Sequence, residues 1–173
     1  GRLILKTLLI IPVYNEEEHL KDVLRETRQY YSGDILVIDD GSGDRSLKIL
    51  DSIKDNRLTT YIHHENQGYG KSLIDGFNYA RKYSYNIAVT MDCDWQHEPA
   101  CLDRFLSTIP HVDIVSGSRY LETHPAEDSA PRDRYTINRR ITKRINGLTK
   151  YTLSDAFCGY KAYKVKALSR LNL

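Results

Sequence analysis

Residues 34–42 have the sequence Asp-Ile-Leu-Val-Ile-Asp-Asp-Gly-Ser, an aliphatic run that ends in two acids and a turn. A short, nearly continuous aliphatic run is typical of a strand that is buried on both faces of a parallel sheet. Gly and Ser directly after acids are typical of a turn. This stretch therefore predicts a buried strand with polar side chains at its carboxyl end.

The same alternation of apolar run, polar turn and amphipathic stretch recurs along the chain. It predicts strands at residues 8–13, 34–38, 58–63, 87–91 and 113–118. It predicts helices at residues 16–30, 46–53 (capped by Asp44 or Ser46), 70–83, 98–108 and 135–149. This alternation is typical of an α/β fold with a mainly parallel sheet flanked by helices. Ligands of such folds bind beyond the carboxyl ends of the strands, so we expect the polar clusters there to share one cleft.

The composition fits one globular domain, because the 173 residues are 40% hydrophobic and 28% charged. A net charge of +2 is too small to indicate a nucleic-acid partner. The basic residues are clustered, however, at Arg132, Arg134, Arg139, Arg140, Lys143, Arg144 and Lys150. This cluster is either a solvated helix face or a surface for anionic lipid headgroups or phosphates.

The remaining features of the sequence concern the cellular location of the protein and the C-terminal part of the chain. Three cysteines without a CxxC spacing predict no disulfide framework and a cytoplasmic location. No apolar run is long enough to span a membrane. Residues 121–134 are polar and contain two prolines, which predicts a mobile loop before the basic helix. Because the sequence stops inside a predicted helix, we expect residues 1–173 to be a single domain truncated at its C-terminus.

Asp92 and Asp94 follow the predicted strand 87–91 and lie two residues apart. Two carboxylates that converge repel each other unless a cation lies between them. Hard oxygen ligands suit Mg²⁺ or Mn²⁺, which commonly take further ligands from substrate phosphates. The pair therefore predicts a metal–diphosphate site, to which Gln96 adds an oxygen ligand, and a solvated turn is the alternative. His97 is either a ligand or acid–base group or, more commonly for such a residue, a hydrogen-bonded loop residue.

Other strand ends carry residues suited to a nucleotide. Tyr14 offers a ring that stacks on a base, and Glu16 offers an acceptor for ribose or base donors. Asp39 and Asp40 either accept hydrogen bonds from a base or form a turn and helix cap. Arg119 offers a planar, bidentate group for a diphosphate, and a surface salt bridge is its alternative.

Residues 66–72, Asn-Gln-Gly-Tyr-Gly-Lys-Ser, do not form a known phosphate loop. In GxxxxGK[ST] the first Gly would fall on Glu65, and in GxGxxG the last Gly would fall on Leu73. Neither an ATPase nor a Rossmann-type dehydrogenase is therefore indicated. A tight entry into a helix is the simpler interpretation.

These motifs in this order resemble the family 2 glycosyltransferases of GT-A-type fold, and among them the polyprenyl-phosphate (dolichol- or undecaprenyl-phosphate) sugar transferases. The resemblance extends over residues 8–163. The segments that carry it are residues 11–16, 37–42, 66–70, 92–97, 117–119 and 155–161. It implies a Rossmann-like three-layer fold and a metal-dependent, inverting transfer of a sugar from a nucleotide-diphosphate donor to a polyprenyl phosphate, in cell-envelope glycan synthesis.

The resemblance also implies roles for individual residues. Pro12, Tyr14, Glu16 and Asp39 or Asp40 would hold the nucleoside, with Cys93 beside them. Asp92, Asp94 and Gln96 would hold Mg²⁺ or Mn²⁺, with Asp94 central to catalysis. Arg119 and Lys161 would contact phosphate, and Asp155 would be a base or an acceptor-side acid. The basic helix would lie at the cytoplasmic face of a membrane.

Alternative functions stay open at this point. A saccharide or other hydroxyl acceptor would need a true catalytic base, whereas a phosphate monoester, with a second pKa near ~6, is already mostly ionised. A non-catalytic module that binds nucleotide sugars is a further alternative. A nucleotidyltransferase is less well supported, because no Gly-rich N-terminal loop bearing Arg and Lys is present. The sequence leaves the oligomeric state open.

Overall fold

The computed structural model describes residues 5–95, 97–120 and 132–171. The strands are β1 (Thr7–Val13), β2 (Asp34–Asp39), β3 (Leu58–Ile62), β4 (Ile87–Thr90), β5 (Ile114–Ser116) and β6 (Lys161–Lys164). The α-helices are α1 (Leu20–Tyr30), α2 (Ser46–Ser52), α3 (Tyr69–Lys82), α4 (Leu102–Thr108), α5 (Arg132–Leu148) and α6 (Val165–Leu168). Two 3₁₀ turns, Pro99–Cys101 and Ile109–His111, flank α4. The predicted strand–helix alternation is confirmed.

The six strands form one sheet in the order β3-β2-β1-β4-β6-β5. Strand β1 pairs in parallel with β2 and with β4, and β2 pairs in parallel with β3. The direction in which successive strands are added reverses between β1 and β4. In open α/β sheets such a reversal opens a crevice at the carboxyl ends of the two strands, where ligands bind.

Strand β6 was missed by the sequence analysis. It runs antiparallel to β4, with Lys161 opposite Thr90 and Lys164 opposite Ile87. Its four residues are Lys-Ala-Tyr-Lys, and only Ala162 is buried. A strand this short and polar lacks the aliphatic run from which the other strands were predicted. The sheet is still mainly parallel, as expected.

The core lies on both faces of the sheet. On one face, Leu8 and Ile10 of β1 belong to a buried cluster with Phe77 and Ala80 of α3 and with residues of α6. A Cβ atom on Gly76 would lie 2.7 Å from Cγ2 of Ile10, so glycine lets α3 approach the strand closely. The opposite face is equally buried, through residues Leu9, Ile11, Ile35 and Val37. Burial on both faces explains the continuous aliphatic runs.

Helix α1 begins at Leu20, four residues later than predicted. The backbone N–H of Glu16 donates to Oγ of Ser46, and that of Glu17 donates to Oδ2 of Asp44, each at 3.0 Å. These bonds hold the first acids in a turn that is joined to the start of α2. The predicted helix therefore loses its first turn to contacts that lie about 30 residues away.

Other boundaries differ for local reasons. The N-cap of α2 is Arg45, not Asp44 or Ser46, although Oδ1 of Asp44 accepts the Ser46 N–H at 2.8 Å. The predicted helix 98–108 begins as a 3₁₀ turn at Pro99. Most of the predicted loop 121–134 lies outside the described residues, but its end is helical, because α5 begins at Arg132.

The chain divides into two compact units. The larger comprises Gly1–Val115 and Lys161–Leu173, and the smaller comprises Ser116–Tyr160. Within the described ranges, no helix is both long and apolar enough to cross a bilayer.

Candidate active site

A cavity of about 380 Å³ lies in the larger unit, beyond the carboxyl ends of β1 and β4. Its walls are formed by Pro12, Val13, Tyr14, Glu16, Asp40, Asn66, Gly68, Tyr69, Ser72, Asp92, Cys93 and Asp94. Seven predicted site residues are among them: Pro12, Tyr14, Glu16, Asp40, Asp92, Cys93 and Asp94. The residues after β1, β2 and β4 therefore converge on one cleft, as expected, whereas the predicted cluster at residues 117–119 is not among its walls.

The turn after β1 is fixed by the turn after β2. Asn15 has a φ of 56°, a left-handed conformation that Asn tolerates better than most residues. Its backbone N–H donates to Oγ of Ser42 at 3.0 Å, and its Oδ1 accepts the N–H of Gly43 at 2.8 Å. The turn leaves Tyr14 on the cavity wall with 49% of its surface exposed. An exposed ring on a braced turn is suited to stacking.

The two acids at the end of β2 have different environments. Asp39 is fully buried and does not line the cavity; its Oδ1 accepts the N–H of Ser42 at 3.0 Å, and its Oδ2 has no hydrogen-bond partner. A buried carboxylate oxygen without a donor is costly. Asp40 is hydrogen-bonded through both oxygens to His63 and to the loop before α3. Asp40 thus has a clear structural role, and Asp39 keeps an unused acceptor.

The turn after β4 holds Asp92 in a defined position. The hydroxyl of Tyr69 donates to Oδ1 of Asp92 at 2.9 Å. The backbone N–H of Asp92 donates to Nδ1 of the buried His97, also at 2.9 Å. Since Nδ1 accepts this bond, it carries no proton, and its 3.6 Å distance to Oδ2 of Asp92 is not a salt bridge. His97 therefore orients the turn, in line with its interpretation as a loop residue.

The carboxylates of the cavity perturb one another. The pKa of Glu16 is raised by burial and by the charge of Asp94, with a smaller effect of Asp92. Burial raises the pKa of the Cys93 thiol to about 12, and the same three acids contribute. Cys93 is therefore a protonated wall residue rather than a thiolate ligand. The negative field of three converging acids favours a bound cation.

The donor set fits a hard divalent cation, because it consists of carboxylate oxygens. Among the residues that the structure describes, no group of three or more His, Cys, Asp or Glu side chains is arranged to hold a metal ion. An ion at Asp92 and Asp94 would therefore need other oxygens from water, a substrate phosphate or Gln96. The predicted ligand Gln96 lies outside the described residues.

Asp155 and Arg119 form an ion pair in the smaller unit. Nε of Arg119 donates to Oδ2 of Asp155 at 2.8 Å, and Nη2 donates to Oδ1 at 3.2 Å. Asn138 and the N–H of Phe157 donate to the same carboxylate. Burial acts to raise the pKa of Asp155, but the bonds from Arg119 and Asn138 outweigh it and lower the pKa to about 2. So weak a base is suited to holding structure rather than to accepting a proton.

The smaller unit contains a cavity of its own, also of about 380 Å³. It is lined by Tyr120, Tyr135, Arg139, Thr142, Lys143, Asn146, Leu153 and Ser154. Arg139 and Lys143 form no salt bridge with any part of the chain that the structure describes. Two cations and two tyrosines in one concave surface suit a phosphate on an apolar carrier.

Three further predicted site residues, Arg119, Asp155 and Lys161, line neither cavity. Lys161 begins β6 and pairs with Thr90, which puts its backbone at the carboxyl end of β4.

Four polar residues of the larger unit are not among the predicted site residues. Asn66, Tyr69 and Ser72 line the cavity, and His63 is buried directly after β3. His63 follows β3 directly, so its position at a strand end was the available signal. Tyr69 and Ser72 gave no comparable signal, because their contacts depend on the way α3 packs against the sheet.

Comparison with known proteins identifies relatives across nearly the whole chain. The sequence model described as glycosyl transferase family 2 matches residues 8–171. An undecaprenyl-phosphate 4-deoxy-4-formamido-L-arabinose transferase of Proteus mirabilis is 32% identical over 169 residues, which are 92% of this chain and 49% of the relative. A polyprenol monophosphomannose synthase of Mycolicibacterium smegmatis is 30% identical over 173 residues, which are 97% of this chain and 65% of the relative. The chain thus spans about half to two-thirds of these relatives.

A solved structure with a similar fold is glucosyl-3-phosphoglycerate synthase from Mycobacterium tuberculosis in complex with Mn²⁺, UDP-glucose and phosphoglyceric acid. The TM-score is 0.73 at 16% sequence identity, over 97% of this chain and 59% of that one. At this identity the likeness concerns the fold, and it confirms the predicted GT-A-type architecture.

Proposed function

The chain belongs to glycosyl transferase family 2, and from this premise we propose that it transfers a sugar from a nucleotide-diphosphate donor to a polyprenyl phosphate. The observation that carries the proposal is the convergence of Glu16, Asp92 and Asp94 in one cavity where the strand order reverses. The names of the two relatives, one acting on undecaprenyl phosphate and one on a polyprenol, support a lipid acceptor.

The nucleoside would occupy the β1–β2 side of the cavity. Tyr14 offers a ring face, and Pro12 and Glu16 lie on the same wall. The unpartnered Oδ2 of Asp39 is a buried acceptor that an N–H of a base would satisfy. This side of the cavity therefore has the stacking surface that a nucleobase requires, whereas Asp39 is buried and is reached only if the base displaces part of the wall.

The diphosphate would lie against Asp92 and Asp94, which would hold Mg²⁺ or Mn²⁺ together with Gln96. The Mn²⁺ in the M. tuberculosis synthase supports this choice of ion. When bound, the cation supplies positive charge to the departing diphosphate. The chain's own contribution is to hold Asp92, whose carboxylate accepts from the hydroxyl of Tyr69 and whose backbone N–H donates to the ring of His97.

A phosphate acceptor agrees with the state of Asp155. Both of its oxygens are hydrogen-bonded, and its pKa is about 2, so it is a poor general base. An ionised phosphate monoester needs little deprotonation before it attacks. We infer that Asp155 positions Arg119 for phosphate, which leaves the Arg119 guanidinium partly exposed in the smaller unit.

Helix α5 buries polar side chains and exposes apolar ones, which supports a membrane location for the acceptor side. Its buried face carries Asn138 and Thr142, which bond to each other and, through Asn138, to Asp155. An outward face carries Ile137, Ile141 and Leu148, exposed by 55%, 39% and 79%. These three residues recur at helical spacing, with exposed Arg140 and Arg144 beside them. An apolar stripe bordered by arginines is suited to the surface of an anionic bilayer.

The test is a panel of nucleotide sugars with Mg²⁺ or Mn²⁺, scored for binding and for transfer to a short polyprenyl phosphate. A matched panel offers the same carrier as a free alcohol and a saccharide acceptor. Transfer to the phosphate alone is the expected result. Transfer to a hydroxyl acceptor alone would assign the alternative function, and donor binding without transfer to any acceptor would indicate a binding module.

A further inference from the structure

His63 lies immediately after β3 and is bonded to a carboxylate on each side of its ring. Nδ1 lies 2.6 Å from Oδ1 of Asp40, at the end of β2, and Nε2 lies 3.0 Å from Oδ2 of Asp75, in α3. The His63 side chain is 3% exposed, and those of Asp40 and Asp75 are 5% and 14% exposed. The ring therefore links the sheet to α3 in a nearly dry environment.

The two partners of the ring are hydrogen-bond acceptors when they are ionised. An ionised carboxylate only accepts hydrogen bonds, so a ring nitrogen that bonds to one must donate. Burial acts to raise the pKa of Asp40, but hydrogen bonds from His63 and from two backbone amides outweigh it and lower the pKa. His63 therefore bridges two acids that belong to different elements.

Lys71 extends the bridge on the side of α3. Nζ of Lys71 lies 2.5 Å from Oδ1 of Asp75, so Asp40, His63, Asp75 and Lys71 form a continuous row of bonded groups. The ring of Tyr61 packs edge-on against the imidazole with a centroid separation of 5.5 Å. A buried ring with a hydrogen-bond partner at each nitrogen leaves no ring nitrogen unsatisfied.

Asp40 also forms hydrogen bonds with the loop before α3. Its Oδ1 accepts the N–H of Gln67 at 2.9 Å, and its Oδ2 accepts the N–H of Gly68 at 2.8 Å. The other side of the loop rests on Gly41, which has a φ of +73°. A Cβ atom there would lie 2.5 Å from the carbonyl carbon of Glu65. The loop is thus held between a carboxylate and a glycine.

The same loop forms part of the cavity wall and leads to the proposed metal ligands. Asn66 and Gly68 line the cavity, and Tyr69 follows at the start of α3. The hydroxyl of Tyr69 donates to Asp92. A continuous set of contacts therefore runs from the His63 ring, through Asp40 and the loop, to a carboxylate of the diphosphate site.

We propose that His63 is a positioning residue for the nucleotide-diphosphate donor. Its ring ties Asp40 to Asp75 and so keeps residues 65–68, and Tyr69 beyond them, in the conformation that receives the diphosphate. It touches no substrate and transfers no proton. The inference rests on the proposed function, because it concerns the donor cavity of that function.

The first test compares His63→Gln with His63→Leu. Gln keeps a donor for one of the carboxylates, whereas Leu leaves both without a donor. Amide exchange at Gln67 and Gly68 is expected to accelerate at least about tenfold in the Leu variant and less in the Gln variant, since Asp40, which accepts both N–H groups, loses its contact with His63. Unchanged exchange in a folded Leu variant would overturn the inference.

The second readout is binding of UDP and GDP in the presence of Mn²⁺, measured by calorimetry. The Leu variant is expected to raise Kd at least about tenfold, with partial recovery in the Gln variant, and to raise KM more than it lowers kcat. Faster amide exchange with unchanged nucleotide affinity would overturn the positioning role and leave the proposed function standing. If the unaltered protein binds no nucleotide, the proposed function fails, and the exchange data still decide whether His63 holds the loop.

Asp75→Asn provides a test if the His63 variants do not fold. Asn keeps an oxygen for Nε2 of His63 but removes the charge that His63 and Lys71 contact. Amide exchange at Gln67 and Gly68 is expected to accelerate in this variant, and the Kd of UDP with Mn²⁺ is expected to rise. The control is Asp51→Asn, which removes an exposed acid from α2. Exchange rates and nucleotide affinity equal to those of the unaltered protein would overturn the inference.

Discussion

Tyr69 and Asp92 are joined by a hydrogen bond of 2.9 Å from the phenol to Oδ1, although they belong to α3 and to the turn after β4. The bond uses one oxygen of Asp92 and fixes the direction of the other. A carboxylate held in this way loses less freedom when it binds a cation. The contact therefore predicts a role for Tyr69 in metal affinity.

Tyr69→Phe is expected to lower the affinity for Mn²⁺, measured with UDP present, by about 10–100-fold, the usual effect of removing an outer-shell partner of a ligand. The readout is the rise in Tm with Mn²⁺ concentration, since an ion at 100 times its Kd stabilises the fold by about 2.7 kcal/mol. Tyr30→Phe, at an exposed tyrosine that ends α1, is the control. An equal Mn²⁺ response in both variants would exclude the role.

Asp94→Asn is expected to reduce metal-dependent sugar transfer by at least about 100-fold with little change in Tm. Asp94 is only partly buried, and its charge raises the pKa of Glu16, so its removal relieves repulsion. Transfer rates are measured over a Mn²⁺ titration, with the exposed Asp51→Asn as control. Undiminished turnover in the Asp94 variant would refute the metal site.

Gly41→Ala is expected to weaken UDP binding at least about tenfold. The added methyl would meet the backbone of Glu65, and the φ of +73° disfavours any side chain. Gly70→Ala is the matched control, because a Cβ there meets nothing within 4 Å and lies in helix α3. It is expected to leave binding unchanged and to gain up to about 1 kcal/mol of stability. Similar affinities for the two variants would contradict the role of the loop.

Asp155→Asn is expected to destabilise the protein by on the order of 2 kcal/mol at pH 7, because it removes a buried carboxylate that accepts hydrogen bonds from Arg119 and Asn138, while Arg119 keeps partial contact with solvent. The pKa of Asp155 is lowered from 3.8 to about 2, so its ionised form stabilises the fold above pH 4 and this contribution disappears as the pH falls toward 2. The difference between Asp155→Asn and the unaltered protein should therefore shrink by on the order of 2 kcal/mol in acid.

Urea unfolding at pH 7 and near pH 2 measures this change. Asp113→Asn serves as the control, because Asp113 is 63% exposed and lies 3.9 Å from Lys164, a geometry that contributes little. A pH-independent difference for Asp155→Asn would show that the carboxylate is not held in its ionised form.

Replacing Arg139, Arg140 and Arg144 together by Ala is expected to weaken binding to anionic vesicles and to raise KM for the polyprenyl phosphate, with donor affinity unchanged. Each cation near an anionic surface contributes about 1 kcal/mol, so vesicle affinity should fall by about two orders of magnitude. The control replaces three exposed cations of the larger unit, Lys21, Lys48 and Lys54. Equal losses of donor and lipid affinity would argue against the assignment of α5 to the acceptor side.

Strands β1 to β5 and the acids of the main cavity were predictable because they depend on local pattern. An aliphatic run such as residues 34–38 indicates a buried strand, and a parallel sheet brings the residues after each strand to one edge. Glu16, Asp40, Asp92 and Asp94 were placed correctly for this reason. Their roles with substrate stay predictions.

The features that the sequence did not reveal depend on partners far along the chain. Helix α1 starts late because its first turn bonds to Asp44 and Ser46. The link from Asp40 through His63 to Asp75 requires three elements to meet, and no spacing in the sequence indicates it. Strand β6 is held by pairing with β4 rather than by its own apolar content.

The turns after β1 and β2 exchange backbone-to-side-chain hydrogen bonds, since residues 15–17 donate to side chains of residues 42–46, and Asn15 accepts one in return. Neither turn is therefore an independent module. A chimera that imports one of them from a relative should lose stability until the other is imported as well, so nucleotide preference can be re-engineered here only by exchanging the two turns together.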